Sequence, residues 1–325
     1  MKTKSDIFYS KILLFGEYSV ICNSMGLSIP YTHYKGELSF INEDKYTDLD
    51  FALKSNQFLR EYLEFLKNLK QENTLKANLD LEKLESDIKK GMYFESTIPQ
   101  GFGVGSSGAL VASVYDRYAI HKISNQGEPS EQDISRLKEI FSQLETYFHG
   151  VSSGLDPLNS YLGHPLLIKG KDAINPVGIP RTKNDQDGAI FLINTGVPGK
   201  TEPLVKFFME KCKTKSFYKK ITNELIPLTE GSIKSMIRGD SDEFFKNLEA
   251  LSSFFINNLS QMIPDKFKGL WKKGLETKDF YLKLCGSGGG GFILGFTRNY
   301  EKTKEILKGM NIEAIPVYRN TLAIK

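Results

Sequence analysis

Apolar residues in the first half of the chain recur with two different spacings. Short apolar or alternating runs predict strands at Lys11–Phe15, Gly26–Pro30, Gly36–Ile41 and Tyr93–Ile98. Apolar positions three or four residues apart predict helices at Ser55–Lys70, about 106–120 and Glu131–His149. Lys76–Lys90 fits a strand followed by a helix, and Gly150–Asp156 is predicted to be a tight loop. This half is therefore expected to mix helices and strands.

The second half repeats both patterns in a different order. Strands are predicted at Tyr161–Lys169 and Ala189–Asn194, and helices at Pro203–Cys212, Phe217–Leu225, Ile233–Ile237 and Phe244–Asn257. The chain then closes with strand, glycine loop, strand, helix and strand between residues 280 and 318, an order typical of a ferredoxin-like half. A Pro-, Gly- and Asp-rich stretch at Asn175–Gly188 indicates a boundary. We therefore expect an α+β protein with domains at 1–182 and 183–325.

Composition excludes several classes of protein. The 325 residues are 40% hydrophobic, enough for a sizeable core. A net charge of +4, from 43 basic and 39 acidic residues, is too small to predict a nucleic-acid binder, although it suits anionic small substrates. The three cysteines show no disulfide or zinc spacing. Because no apolar run approaches about 18 residues, we expect a cytoplasmic protein without a membrane partner.

The glycine loop Gly101-Phe-Gly-Val-Gly-Ser-Ser-Gly108 is the most informative segment. Its glycines allow close backbone approach, and it leads into a helix whose free amides and serine hydroxyls suit a phosphate. The candidate nucleotide-binding residues are Gly101, Gly103, Val104, Gly105, Ser106, Ser107 and Gly108. A plain glycine turn is the alternative.

Two other phosphate-loop patterns fit less well. The match to GxGxxG lacks an apolar parallel strand before it and an acidic residue about 20 positions later. Gly196–Thr201 imitates a P-loop but has Asn194 where the first glycine is required. A dinucleotide-dependent oxidoreductase therefore rests on the GxGxxG match alone.

Three segments together resemble the family of galactose, homoserine, mevalonate and phosphomevalonate kinases. They are Lys11-Ile-Leu-Leu-Phe-Gly-Glu-Tyr-Ser-Val20, Pro99–Ala109 and Lys283–Gly291, in the family's order and spanning nearly the whole chain. Leu144–Asp156 is most similar to the mevalonate kinases, with Glu145 and Asp156 eleven residues apart. Two positions depart from the family pattern. Tyr9-Ser10 replace the usual Pro-Gly before the first lysine, and Tyr18 replaces the histidine of mevalonate kinases. The resulting Gly-Glu-Tyr sequence is closer to that of phosphomevalonate kinases.

The resemblance implies a fold, a reaction and a site. The fold is a two-domain kinase fold with a ribosomal-protein-S5-like N-terminal domain, a ferredoxin-like C-terminal domain and the active site between them. The reaction is transfer of the γ-phosphate of ATP to the hydroxyl of mevalonate, in isoprenoid precursor synthesis, with phosphomevalonate as the alternative acceptor. Asp156 and Lys11 are the implied catalytic residues, and Ser107 and Glu145 the implied Mg²⁺ ligands. The implied substrate-binding residues are Lys11, Tyr18, Asp156, Gly286, Ser287 and Gly288.

The residues by themselves support these roles but leave alternatives. Asp156 could accept a hydroxyl proton beside Lys11, or both could be ordinary surface charges. Glu145 lies at the edge of its helix's apolar stripe, where it needs Mg²⁺ or a lysine such as Lys138 as a partner. We expect Glu17 to support the first-motif turn and His149 to be a helix C-cap. A non-catalytic binding relative and a homodimer both stay open.

Overall fold

The computed structural model describes residues 7–42, 48–127, 129–170, 173–180 and 187–319. The chain forms two compact units, each assembled from separate segments. The first contains Met1–Lys11, Pro30–Pro99 and Gly105–His164, and the second contains Ile12–Ile29, Gln100–Val104 and Pro165–Lys325. The predicted boundary between residues 182 and 183 lies outside the described residues, so it stays a prediction.

The described residues contain nine strands and eleven α-helices, besides two short 3₁₀ helices and one π-helical segment. The strands are β1 (Phe8–Phe15), β2 (Met25–Phe40), β3 (Met92–Ser96), β4 (Leu166–Lys169), β5 (Ala173–Pro176), β6 (Ala189–Asn194), β7 (Tyr281–Leu284), β8 (Phe292–Thr297) and β9 (Ala314–Arg319). The helices are α1 (Leu49–Gln71), α2 (Leu81–Lys89), α3 (Ser106–Tyr118), α4 (Glu131–His149), α5 (Leu155–Leu162), α6 (Thr201–Cys212), α7 (Lys215–Lys220), α8 (Ile226–Arg238), α9 (Ser241–Asn258), α10 (Asp265–Thr277) and α11 (Tyr300–Lys308).

The first unit is built mainly from helices α1 to α5. Helix α4 starts with a capping box in which Ser130 and Asp133 bind each other's backbone amides, and its apolar stripe is buried. Most sides of helix α3 carry small or apolar residues, so the helix packs closely against α5. The C-terminal part of β2 pairs antiparallel with β3, with Leu38 opposite Phe94. The contact between α3 and α5 places the beginnings of these two helices side by side.

The second unit contains a four-stranded antiparallel sheet in the order β7-β8-β6-β9. The succession of strand, helices, two strands, helix and strand, with the first and third strands central, is the ferredoxin-like arrangement. The predicted α+β fold class is therefore confirmed. The predicted core residues Trp271, Phe254 and Phe255 are buried. In the same unit, residues 25–28 of β2 pair with β4, and β4 pairs with β5.

Several predicted element bounds are wrong. Gly26–Pro30 and residues 36–40 belong to one 16-residue strand, β2, which continues through the exposed polar residues Thr32, His33 and Lys35. The strand predicted at Tyr161–Lys169 begins only at Leu166, since residues 161 and 162 end helix α5 at the left-handed Gly163. Asp156 lies in the first turn of α5 and not in a loop. Helix α10 was missed.

Candidate active site

Lys11 and Asp156 form an ion pair in the first unit. The ammonium of Lys11, on β1, lies 2.9 Å from Asp156 Oδ1, in the first turn of α5. The lysine side chain is 8% exposed and the aspartate 36% exposed. Lys11 is therefore held inside the protein, while the Asp156 carboxylate is open to solvent.

The N-terminus of α3 lies directly against this pair. A methyl group on Gly105 would be 3.0 Å from Lys11 Cγ and 3.7 Å from Asp156 Oδ2, and Gly105 has a φ of +81°. A methyl group on Gly108 would be 2.7 Å from the Asp156 carbonyl carbon. Only glycine fits at these two positions without a shift of the neighbouring atoms.

The same helix end presents free donors. Its first internal hydrogen bond joins the amide of Ala109 to the carbonyl of Gly105, so the amides of residues 106–108 have no acceptor within the helix. The positive end of the helix dipole adds to their preference for an anion. This arrangement can bind phosphate oxygens next to the Lys11–Asp156 pair.

Glu145 is a buried carboxylate held by two hydroxyl groups. Its side chain, on α4, accepts a hydrogen bond from Ser107 Oγ at 3.0 Å and another from Ser152 Oγ. Burial, and then the negative charge of Asp156, raise the pKa of Glu145 to about 7. A cation at this carboxylate would offset both effects.

The oxygen donors of Glu145 and Ser107 fit Mg²⁺. This ion prefers carboxylate and hydroxyl oxygens and normally completes its shell with water and phosphate. Within the described ranges, no group of three or more His, Cys, Asp or Glu side chains is arranged to hold a metal by itself. The two residues therefore suit a Mg²⁺ ion that arrives with a nucleotide.

His149 has a different position from the one predicted. The C-cap of α4 is Gly150, and His149 is the last helical residue, with its Nε2 3.2 Å from Ser107 Oγ. Ser152 was also missed, because one serine in Val-Ser-Ser-Gly carries no signal before the loop is folded against α4. Both residues contact the predicted Mg²⁺ ligands, one through Ser107 and the other through Glu145.

The second unit brings the other predicted loops together. A methyl group on Gly103 would be 3.4 Å from the carbonyl oxygen of Cys285, and one on Gly291 would be 2.9 Å from that of Phe102. The Gly199 amide donates to the carbonyl of Gly101, so the segment that imitates a P-loop is a backbone neighbour of the glycine loop. Phe102 and Gly103 thus lie against Gly291 and Cys285, Gly101 lies beside Gly199, and Val104 is buried.

Tyr18 and Glu17 both contact the third motif within this unit. Tyr18 is buried, its hydroxyl donates to the carbonyl of Ser287 at 2.5 Å, and burial raises its pKa. Glu17 forms a 2.6 Å ion pair with Lys283, whose Nζ also donates to the carbonyl of Leu284 at 2.8 Å. Lys283 was not assigned a role from sequence. Its only signal was a charged residue inside an apolar strand.

The structure thus separates the predicted site residues into two groups, each described within its own unit. The first unit brings together Lys11, Asp156 and Glu145 with residues Gly105, Ser106, Ser107 and Gly108. The second unit brings Gly103 beside Gly286, and Tyr18 to Ser287, the residue before Gly288. Gly101 and Val104 belong to the same unit.

The dinucleotide alternative lacks its structural context. The GxGxxG pattern requires a strand, the glycine turn and a helix in a parallel βαβ unit. Strand β3, which precedes the glycine loop, is antiparallel to β2. The match to this pattern therefore does not indicate dinucleotide binding.

Residues 63–164 match the family model of the GHMP kinases N terminal domain. The resemblance of the chain to this family of kinases is thereby confirmed. No curated protein sequence matches the chain significantly.

Solved structures of three kinases share the fold along nearly the whole chain. The L. major mevalonate kinase in complex with R-mevalonate is 15% identical, with 99% of this chain and 98% of that chain covered and a TM-score of 0.63. The Streptococcus pneumoniae phosphomevalonate kinase in complex with phosphomevalonate and AMPPNP is 13% identical, with 98% and 99% covered and a TM-score of 0.63. The Lactococcus lactis galactokinase complexed with galactose is 15% identical, with 98% and 93% covered and a TM-score of 0.63. Identities this low establish the fold and not the substrate.

None of the helices described here is long and apolar enough to cross a membrane.

Proposed function

We propose that this protein is an ATP-dependent kinase that phosphorylates the hydroxyl group of mevalonate. The observation that carries the proposal is the Lys11–Asp156 ion pair at the N-terminus of α3. An open carboxylate beside a buried ammonium and a row of free amides suits the transfer of a phosphoryl group to an alcohol. The expected cytoplasmic location and role in isoprenoid precursor synthesis belong to the same proposal.

Each residue has a distinct task in this mechanism. Asp156 accepts the proton of the acceptor hydroxyl while the hydroxyl oxygen bonds to the γ-phosphorus of ATP. The bond between the γ-phosphorus and the β–γ bridging oxygen breaks, and ADP leaves with that oxygen. Lys11 neutralises charge on the transferred group, and the amides of residues 106–108 bind the phosphate oxygens. Glu145 and Ser107 would hold Mg²⁺, which supplies charge neutralisation on the nucleotide phosphates when it is bound.

Charge favours mevalonate over phosphomevalonate as the acceptor. A site for phosphomevalonate needs cationic or amide donors for a second phosphate. The two lysines of the motifs, Lys11 and Lys283, are each paired with a carboxylate. The one feature that favours phosphomevalonate is Tyr18, and its hydroxyl donates to a backbone carbonyl.

The direct test is an ADP-release assay with mevalonate, phosphomevalonate, homoserine and galactose as acceptors. We expect mevalonate to give the highest kcat/KM and the Asp156→Asn variant to lose that activity. A higher kcat/KM with phosphomevalonate would mean that phosphomevalonate is the acceptor, while the assignment of the phosphoryl transfer would stand. Absence of ADP release with every acceptor, while ATP still binds, would instead indicate a non-catalytic relative.

A further inference from the structure

Two of the three cysteines meet in the second unit. Cys22 is the last residue of the 3₁₀ helix Ser19–Cys22, and Cys212 is the last residue of α6. Both lie in segments of the second unit, and the Cys212 thiol donates a hydrogen bond to the Cys22 sulfur. Because the two cysteines are far apart in the sequence, only folding brings their sulfur atoms into contact.

A ring contact in the same two segments fixes this placement. Tyr18 precedes Cys22 by four residues, as Phe208 precedes Cys212, and the centres of the two rings are 4.7 Å apart. Both rings are buried, and Phe208 also packs edge-on against Phe217 at 6.2 Å. The thiol pair and the ring pair therefore join the same two segments, so the contact of the cysteines does not depend on a single side-chain rotamer.

Small molecules can reach these two thiols. Cys22 and Cys212 are half-buried, whereas Cys285 is only 3% exposed. Each of the two has an exposed neighbour in the sequence, Ile21 for the first and Lys213 for the second. An oxidant in solution should therefore reach Cys22 and Cys212 more readily than the third cysteine.

The positions of the two cysteines suit a covalent bond between them. A disulfide places its sulfur atoms about 2.05 Å apart, so hydrogen-bonded thiols have to move only slightly closer together. Both cysteines lie at the ends of helices, and helix ends fray more readily than helix interiors. The small shift that the bond requires is therefore available at both residues.

Burial keeps both thiols protonated near neutral pH. It raises the pKa of Cys22, although the hydrogen bond from Cys212 acts in the opposite direction, and it raises the pKa of Cys212 to about 11. Cys22 therefore ionises first, and a thiolate is the nucleophile in disulfide exchange. Because the thiolate fraction is low, oxidation should be slow.

We propose that Cys22 and Cys212 form a reversible disulfide by exchange with a small-molecule disulfide, and that this bond fastens the end of the 3₁₀ helix to α6. The Cys22 thiolate attacks the small disulfide, forms a mixed disulfide and releases one small thiol. The Cys212 thiol then loses its proton, and its sulfur attacks the Cys22 sulfur and releases the second small thiol. The two protein thiols are thereby oxidised, and the small disulfide is reduced. This inference does not depend on the proposed kinase function.

Titration of the full-length protein with mixtures of oxidised and reduced glutathione tests the bond. After an acid quench, alkylation and digestion, we expect a cross-linked peptide that contains Cys22 and Cys212, with Cys285 alkylated as a thiol. The matched controls Cys22→Ser and Cys212→Ser should form only a mixed disulfide with glutathione. A folded wild type without the cross-link, at glutathione ratios that modify either variant completely, would overturn the inference.

The same titration in urea separates the effect of the fold from the chemistry of any two thiols. The equilibrium constant for the disulfide should be at least about thirtyfold larger in the folded protein, because the unfolded chain has to close a long loop. An equal or smaller constant in the folded protein would show that the fold does not favour the bond, and would overturn the inference.

Hydrogen exchange of the oxidised and reduced proteins tests the fastening. The amides of Asn23 and Lys213, which donate to the carbonyls of Val20 and Glu210, should exchange at least about threefold more slowly after oxidation. The amides of Met310 and Asn311, just after α11, should not change. Cys22→Ser treated in the same way controls for glutathione itself. Unchanged exchange at residues 23 and 213 of the cross-linked protein would overturn the fastening role.

Discussion

Two lysine–carboxylate pairs with the same chemistry have different surroundings in this protein. Lys11 and Asp156 are 2.9 Å apart, with Asp156 36% exposed, whereas Glu17 and Lys283 are 2.6 Å apart and both 2% exposed. The first pair lies beside free helix amides in the first unit, and the second joins two sequence motifs in the second unit.

Solvent access distinguishes the pair proposed to react from the enclosed pair. A carboxylate that a substrate can reach is able to accept a proton, whereas an enclosed carboxylate can only hold its partner. Enclosure also makes the loss of one charge costly, because the remaining charge stays desolvated. The exposed pair should therefore control turnover, whereas removing one charge of the enclosed pair should lower stability.

The largest expected effect is on turnover at the exposed pair. Asp156→Asn should lower kcat about 10²- to 10⁴-fold, because the amide cannot accept the hydroxyl proton. The free energy of unfolding should change much less than at the enclosed pair, because Asp156 is partly exposed and the amide oxygen can still accept a hydrogen bond from Lys11. Initial-rate ADP release and urea denaturation measure both quantities. Asp265→Asn, at an exposed surface ion pair, is the matched control. More than about half of wild-type turnover would contradict the assignment of Asp156 as the base.

The enclosed pair should show the reverse pattern. Lys283→Met should lower the free energy of unfolding by about 3–5 kcal/mol, because it leaves Glu17 charged and buried. Adding Glu17→Gln should restore much of this loss. Urea denaturation at pH 7 measures the difference, with Lys268→Met at a surface pair as the control. A loss below about 1 kcal/mol would mean that water or a rearrangement compensates the charge.

Glu145 extends the comparison to a buried carboxylate held by two hydroxyls. Burial and the charge of Asp156 raise its pKa to about 7 from an unfolded value of 4.5. Between these values the folded state binds a proton that the unfolded state has lost. Stability of the metal-free protein should therefore fall as pH rises from about 4.5 to 7, by roughly 3 kcal/mol.

Urea unfolding in the presence of a chelator, at several pH values, measures this slope. Glu145→Gln should remove this contribution to the slope, because the amide does not titrate. An identical slope in wild type and variant would assign the pH dependence to other groups.

The pairing of both motif lysines also sets the expected substrate preference. We expect kcat/KM to favour mevalonate over phosphomevalonate by at least about tenfold, roughly 1.4 kcal/mol of differential transition-state binding. Side-by-side assays at equal ionic strength measure the ratio. Equal or reversed efficiencies would show that a cation outside the two pairs binds the extra phosphate.

The smallest effect concerns the Mg²⁺ requirement. Glu145→Gln should raise the Mg²⁺ concentration at half-maximal activity roughly threefold to tenfold, because an amide is a poorer ligand for a hard cation. Glu139→Gln, at a 61% exposed position on the same helix, should leave it unchanged. Equal half-saturation in the Glu145 variant and wild type would make Glu145 a structural residue.

Local patterns in the sequence determined the elements, the fold class and the family resemblance. The glycine loop, the capping box of α4 and the apolar stripes depend on residues a few positions apart, so their physical basis is visible in the sequence. The fold class followed from the order of elements, since strand, helix and turn preferences are also local. Asp156 and Lys11 could be proposed as partners only through the family resemblance.

Only the tertiary structure decided which charges are paired and how deeply they are buried. Glu17 and Lys283 are 266 residues apart, and no periodicity connects them. The contacts of Ser152 and His149 with the Glu145–Ser107 pair depend on how the end of α4 meets the next loop. Exposure of Asp156 and enclosure of Glu17 result from packing around each residue, and packing is a property of the folded chain. The same lysine–carboxylate chemistry therefore stands in two environments that the residue types alone do not distinguish.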